Sequence, residues 1–428
     1  MMLVEFKVKN FRSIMNEMHL SMVMGSGKEL ANTHTFTPLE TSKSLELVRS
    51  AAIYGPNAAG KSNILKAIRA MKEIVLESAK MQRGDKLPIV PFKLDPATRK
   101  EPTEFEVTFI SEDVRYQYGF VADEERVYEE WLIAFPFGRP QNWFARAYNQ
   151  DGSTPSYQWQ FGDNFTGSKN VWQKATRDNA LFLSTAVQLN SDKLKPVYDW
   201  FAEHLRIASI RGWDQSFTVE LCKDKEYKPK ILSFLKTADI DIDDIHVEDI
   251  DFDPNDLPDD MPESIKQEIS KEFKGKKLTE ANSVHLDIEG KPVEFDLDDE
   301  SDGTRKLLSF IGPWIDSLES GNVLLIDELH DNFHPMMVRF LIDLFHNNET
   351  NTGNAQLVFT THETSVLSQD VFRRDQIWFC EKKNKASTLF PLTDFSPRKG
   401  VEDLEKSYFS GRYGALPYFK DVRKAMGL

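Results

Sequence analysis

Gly55-Pro56-Asn57-Ala58-Ala59-Gly60-Lys61-Ser62 satisfies the pattern G-x-x-x-x-G-K-[ST] at every position. Gly55 and Gly60 permit tight turns, so successive backbone N–H groups can converge on an anion. Lys61 has the reach for the β- and γ-phosphates of a nucleoside triphosphate, and the Ser62 hydroxyl can ligate Mg²⁺. Far along the chain, Asn322-Val323-Leu324-Leu325-Ile326 runs into Asp327-Glu328. Asp327 is placed to hold the same ion, directly or through water, and Glu328 to orient or deprotonate an attacking water. An apolar run ending in Asp-Glu is common by itself; after a complete phosphate loop it takes on this meaning. One run later, Gln356-Leu357-Val358-Phe359-Thr360 ends in Thr361-His362. A lone histidine there would ordinarily be a surface or capping residue, but this one stands where a γ-phosphate sensor would sit. Ser301-Asp302-Gly303-Thr304 precedes a helical stretch carrying Leu307, Leu308, Ile311 and Ile315. A small polar residue with glycine at a helix start is either another anion-binding end or an ordinary N-cap, and spacing leaves both open.

The elements that must position these groups are legible too. Ser50-Ala51-Ala52-Ile53-Tyr54 reads as a strand entering the loop, and Ile64, Ile68, Met71 and Val75 draw one apolar stripe on a following helix. The continuous apolar run before Asp327 suits a central parallel strand covered on both faces. Between about 103 and 160 the pattern is β, with Phe105, Val107 and Phe109 alternating with polar residues, as do Tyr116, Tyr118 and Phe120. This predicts an antiparallel lobe, in which packing explains Trp131, Trp143 and Trp159 more economically than base stacking does. From about 170 to 238 the pattern is helical, through Leu181, Thr185 and Leu189, then Val197, Phe201 and Leu205.

Over 239–260, 11 of 22 residues are Asp or Glu. The spacing Asp249-x-Asp251-x-Asp253 invites a calcium-loop reading, which fails because Pro254 stands where that loop needs glycine. A solvated acidic face or a docking surface is the better reading. Residues 284–297 read as a hairpin around Glu289-Gly290.

At 428 residues the chain is long enough for two to three domains, or for one enzyme head with an insertion. Two cysteines, Cys222 and Cys380, are too few for a disulfide framework or a cysteine zinc site, which points to a reducing cytoplasm. No apolar run approaches the ~20 residues of a membrane helix, and the first residues lack the apolar core of a signal peptide. A net charge of −15 argues against general nucleic-acid binding, leaving room only for a local basic groove.

The four elements in this order resemble the head of the ABC-type ATPase family. The chain is similar to its prokaryotic branch, which includes Rad50, structural-maintenance proteins, RecF and overcoming-lysogenization-defect (OLD) ATPases. Within that branch it looks most like the abortive-infection and restriction-linked RloA/AbiL-like group. Val8-Lys9-Asn10-Phe11-Arg12-Ser13-Ile14 resembles the family's opening, and Arg374-Asp375-Gln376-Ile377-Trp378-Phe379 and Gly411-Arg412-Tyr413-Gly414-Ala415-Leu416-Pro417 resemble that group's C-terminal segments. Under this resemblance Asp327-Glu328 is Walker B, His362 the switch histidine and Ser301-Asp302-Gly303-Thr304 the signature, with Asp302 and Thr304 replacing the family's glycine and glutamine.

The resemblance implies an α/β fold of P-loop NTPase type: a mainly parallel core sheet, an antiparallel β lobe and a largely helical insertion. The expected boundaries are 1–165 and 283–428 for the two parts of the head and 166–282 for the insertion. Pro88, Pro91, Pro96, Pro102, Pro136, Pro140 and Pro155, with no sustained heptads, speak against a long coiled-coil arm. ATP and Mg²⁺ are the implied cofactors. Catalysis would rest on Glu328, His362 and Lys61, metal binding on Ser62 and Asp327, and nucleotide support on the octet with Asn10, Phe11 and Arg12. As residues alone, those last three could equally form a strand end. The signature would act in trans across a homodimer or higher homo-oligomer of heads, and a separate effector is implied, a nuclease of TOPRIM-like or other type. Two other classes stay open: an ATP-gated DNA-binding repair clamp, against which the net charge weighs, and a low-turnover ATP-dependent scaffold.

Overall fold

The computed structural model describes residues 1–38, 45–149, 156–208, 215–253, 261–273 and 277–417. Chain contacts divide it into two units, Met1–Ile210 with Ser317–Leu428, and Arg211–Asp316.

The larger unit is built on two sheets. In the six-stranded one, the strand entering the octet (Ser50–Tyr54) lies between Gln356–Thr360 and Ile377–Lys383 and is parallel to both. Val323–Ile326 and then Leu205–Ile207 extend the parallel array on one side, and Ala386–Pro391 closes the other as an antiparallel partner. The central strands are buried along their whole length. That is why they read as unbroken apolar runs rather than as alternation. The helix Lys61–Glu77 follows the loop, and the expected stripe of Ile64, Ile68, Met71 and Val75 is buried, joined by Leu65, Ala67 and Ile74.

The second sheet has seven strands, all antiparallel: Ser156–Phe161, Gln141–Asn149, Val127–Phe135, Val114–Ala122, Thr103–Ser111, Met2–Lys9 and Met18–Ser21 in spatial order. Phe105, Val107 and Phe109 from one strand and Tyr118 and Phe120 from the next point into the same core as the loop helix. Trp143 packs edge-on against Tyr116 and stacks near Phe165, and Trp159 stacks on Phe161, so these rings serve packing.

The helical stretch after residue 166 differs from expectation in where it belongs. Phe182–Gln188 and its neighbours bury Phe182, Leu183, Ala186, Trp200 and Phe201 in the core of the larger unit, and the strand Leu205–Ile207 joins the parallel sheet beside Val323–Ile326. Helical periodicity marks a buried face but does not say which core that face covers. A buried ion pair pins this packing. The Glu130 carboxylate, fully buried, accepts from Arg146 Nε at 2.9 Å, Tyr118 Oη at 3.0 Å, and the Phe182 and Leu183 amides at 2.7 and 3.0 Å. It therefore caps the start of Phe182–Gln188, which lacks a capping side chain of its own.

The smaller unit, expected as mainly helical, also carries a three-stranded sheet, Asp244–Asp251, Lys277–Leu286 and Pro292–Asp296. The last two form the hairpin expected around Glu289-Gly290. Asp249 lies within a strand and bonds Lys223 and Thr279, so it belongs to no calcium loop. Pro254 and the acidic residues after it lie outside the described residues.

Candidate functional site

The ends of adjacent parallel strands bring the chemistry together. Ser62 Oγ donates to Asp327 Oδ1 at 3.0 Å, and Thr360 Oγ1 donates to the same oxygen at 2.6 Å. Thr360 Oγ1 also accepts the Glu328 amide at 2.8 Å, so one hydroxyl at the end of its strand holds the Asp327 carboxylate and the Glu328 backbone. Glu328 adopts φ 54°, the left-handed region that a non-glycine residue enters only under local constraint. Its carboxylate stands 3.6 Å from His362 Nε2. Lys61 Nζ lies 3.1 Å from the same nitrogen and donates to Gly55 O at 2.8 Å. Lys61, Ser62, Asp327, Glu328 and His362 thus form one constellation. Burial pushes the Lys61 ammonium below its usual range. Burial, then the Lys61 and His330 charges, does the same for the His362 imidazole, favouring its neutral form.

The loop is held from behind. A Cβ on Gly55 would stand 2.1 Å from the Cys380 carbonyl oxygen, so only glycine fits there. Gly60, at φ +108°, lies against Ser387 Oγ and Ser13 Oγ, which a Cβ would meet at 2.0 and 2.8 Å. Ser387 Oγ donates to Ala59 O at 2.5 Å and lies 2.7 Å from Ser13 Oγ, which accepts from Asn63 Nδ2 at 2.6 Å. A hydroxyl has one proton, so with Ser387 donating to Ala59 the Ser13 hydroxyl must donate to Ser387. Ser13, Ser387, Thr360 and His330, whose Nδ1 is 3.2 Å from Thr361 Oγ1, are supports that sequence reasoning did not single out. Of these, only Thr360 carries a sequence signal, a hydroxyl residue at the end of an apolar strand. Ala59 is buried, while Asn57 and Ala58 are exposed at the loop tip beside a cavity of about 930 Å³. Pro56 and His362 share that cavity with Tyr408, Leu416 and Pro417 of the tail, whose Tyr413 is buried and stacks on Phe379.

Three expected nucleotide supports are placed differently. Asn10 is buried, with Nδ2 donating to the Thr98 and Glu101 carbonyls and Oδ1 accepting the Phe92 amide. Its amide is spent on tying the chain around residues 92–101. Phe11 is buried edge-on against Phe105. Arg12 is exposed, with its amide bonded to Val90 O. Of this segment, only Ser13 touches the loop's own support.

Ser301, Asp302, Gly303 and Thr304 belong to the smaller unit. Ser301 Oγ accepts the Thr304 amide at 3.1 Å, an N-cap on the helix Asp302–Ser320, and Asp302 pairs with Arg305. Of the two readings left open, the cap is therefore present.

The hard-oxygen pair of Ser62 and Asp327 suits Mg²⁺, which is commonly held by one or two protein ligands together with substrate phosphates. No group of three or more acidic, histidine or cysteine residues that could hold a metal ion occurs among the described residues. No helix among them is long and apolar enough to cross a membrane.

No curated protein matches the chain. Among solved structures it is similar to an Smc head bound to the C-winged helix domain of ScpA, with 11% identity, coverage of 91% of this chain and 97% of that one, and a TM-score of 0.40. An SMC head domain from Thermotoga maritima gives 13%, 91%, 99% and 0.37, and RecF with ATP gives 14%, 91%, 98% and 0.35. At such identities and scores these likenesses add nothing to the assignment. Residues 50–368, well over half of the chain and the whole span from the strand before the octet to beyond His362, match a family model, and the chain belongs to that family, described as "AAA domain, putative AbiEii toxin, Type IV TA system".

Proposed function

We propose that the chain is the ATP-binding and ATP-hydrolysing switch subunit of a prokaryotic anti-phage defence system of the abortive-infection type. In this reading it assembles through its ATPase heads and controls a separate effector, a nuclease. The observation that carries the chemistry is the convergence of Lys61, Ser62, Asp327, Glu328 and His362 at the ends of neighbouring strands. The loop amides and Lys61 bind the phosphates. Ser62 and Asp327 would hold Mg²⁺, which would supply positive charge against the phosphates. Glu328, held by its amide to Thr360, takes the proton of the attacking water, and His362, between Glu328 and Lys61, contacts the γ-phosphate. Ser301 and Gly303 would complete the site of a second subunit, so that hydrolysis loosens the pair and the effector senses the change. The toxin and type IV system in the family's description support a defence role with a partner.

The test pairs two variants. Glu328→Gln is expected to keep ATP binding and to lose turnover by about 10² or more, the scale of positioned general-base effects. Lys61→Ala is expected to weaken binding itself. Normal turnover in Glu328→Gln would remove Glu328 as the base. Phage protection by this chain alone, undiminished in Lys61→Ala, would remove the defence switch.

A further inference from the structure

The hairpin of the smaller unit exposes what a folded sheet usually covers. Pro292–Asp296 is the outer strand of its three-stranded sheet, with no strand beyond it among the described residues. Its apolar residues are open to solvent: Val293 is 39% and Phe295 44% exposed, with Leu286 at 53% on the paired strand and Ile288 wholly exposed at the turn. Beside them lies a cavity of about 440 Å³ lined by His285, Leu286, Val293, Phe295, Asp299 and Glu300. The His285 ring stands edge-on to Phe295, and its Nε2 pairs with Glu300 at 2.7 Å, so the cavity wall is built and fixed.

Charge selects the occupant. From Leu286 to Glu300, seven residues are Asp or Glu and one is Lys, which is already paired with Glu289. Edge to edge at this strand, a second copy would set Glu294 and Asp296 against the same acidic residues, and nucleic acid would bring a run of phosphates. Both are repelled. An unpaired edge strand is a template for an extended segment, with main-chain pairing giving affinity and alternate side chains giving specificity.

We propose that the strand Pro292–Asp296 docks an extended basic segment of a partner protein by strand addition. The segment's apolar side chains pack on Val293 and Phe295, which share one face of the sheet, and its Lys or Arg side chains, alternating to the other face, meet Glu294 and Asp296. Only the identification of this partner with the controlled effector rests on the reading of the chain as a switch subunit.

The probe is a labelled eight-residue peptide alternating valine with lysine, titrated with the full chain and read by fluorescence anisotropy. A counterpart alternating valine with glutamate, and a valine–lysine peptide N-methylated at alternate amides, serve as comparisons. The valine–lysine peptide is expected to bind at least about tenfold more tightly than either, and more weakly as salt rises. Phe295→Lys is expected to weaken it about tenfold, as is Glu294→Lys, which leaves the apolar residues in place. Unchanged melting temperatures would show that both variants remain folded. Equal binding of all three peptides, or indifference to both variants, would overturn the proposal. ATP turnover measured in parallel separates the two readings: its absence in the unmodified chain would end the ATPase reading and leave a positive peptide result standing.

Discussion

Two helix starts in this chain offer backbone amides to an anion, and they are built in opposite ways. At the start of Lys61–Glu77 everything is fixed beforehand: Ala59 by Ser387, Gly60 by the Ser13–Ser387 pair, and Lys61 by Gly55 O and His362. At the start of Asp302–Ser320 the hydroxyl bonds only within its own turn, to Thr304, and Ser301 and Asp302 are exposed. The first is organised before any ligand arrives. The second is a helix cap that gains another task only if something approaches it. Pre-organisation is what a step with developing charge demands, because donors already in place do not have to reorganise during the reaction. An exposed cap suits a contact that is made and broken.

The comparison breaks most visibly at Gly60. Gly60→Val places a β-branched residue at φ +108° against two hydroxyls, a combination worth about 3 kcal/mol, or roughly a hundredfold in ATP affinity. Equilibrium binding of a fluorescent ATP analogue reads it. Affinity within a factor of two of the parent would mean the loop is not held from behind as described.

Next comes Thr360→Val, isosteric but without the hydroxyl. It leaves Asp327 Oδ1 short of one donor and the Glu328 amide without its acceptor, at about 1–3 kcal/mol for such orphaned groups. Turnover should fall about tenfold or more while ATP binding, set by the loop, changes little. A loss confined to binding would detach Thr360 from the placement of Glu328.

The rigidity behind the loop also has a pH signature. His346 is buried and stacked on His34 at 3.8 Å, with Nε2 bonded to Ser50 at the start of the loop's own strand. Burial, then the charges of His34 and Arg49, holds the His346 pKa well below its ordinary value, and burial lowers that of His34. Their unfolded values lie near 6.5. Because the folded values are lower, the unfolded chain binds more protons below that pH. The stabilisation is therefore fully present above about pH 6.5 and is lost as pH falls below it. The melting temperature should drop between pH 7 and pH 5, and His346→Gln should flatten that dependence relative to the parent. Parallel profiles for both would exclude the pair as its source.

What the sequence disclosed follows from how signals are written in it. The octet, Asp327-Glu328 and His362 lie at fixed offsets from apolar runs, and each sits at the strand end those runs predict. The hairpin at Glu289-Gly290 was legible because a turn needs particular residues. Ser13 and Ser387 were not, being 374 positions apart and joined only by the fold. Glu130 and Arg146 look like ordinary charges on alternating strands until burial joins them. Asn10 and Phe11 suit a nucleotide or a strand end by type alone, and the chain uses them on itself, because a carboxamide that can hold a nucleotide can equally hold three backbone groups.

The smallest expected effect tests the other helix start. Ser301→Ala removes one capping acceptor, worth about 1 kcal/mol to its helix. If Ser301 does nothing more, turnover should match the parent once the protein is kept well below its melting temperature. If it completes a neighbour's site, turnover should fall further than that cap accounts for, and the fall should steepen in Ser301→Arg, whose bulk would keep a second head from closing. The deciding measurement is complementation. Ser301→Arg retains an intact phosphate loop and Lys61→Ala retains an intact helix start, so a mixed pair assembles one site from two unmutated halves. Turnover of the exchanged mixture should exceed that of either variant alone. Verified mixed oligomers with no gain would leave Ser301 as a cap and confine the chemistry to the residues around Lys61.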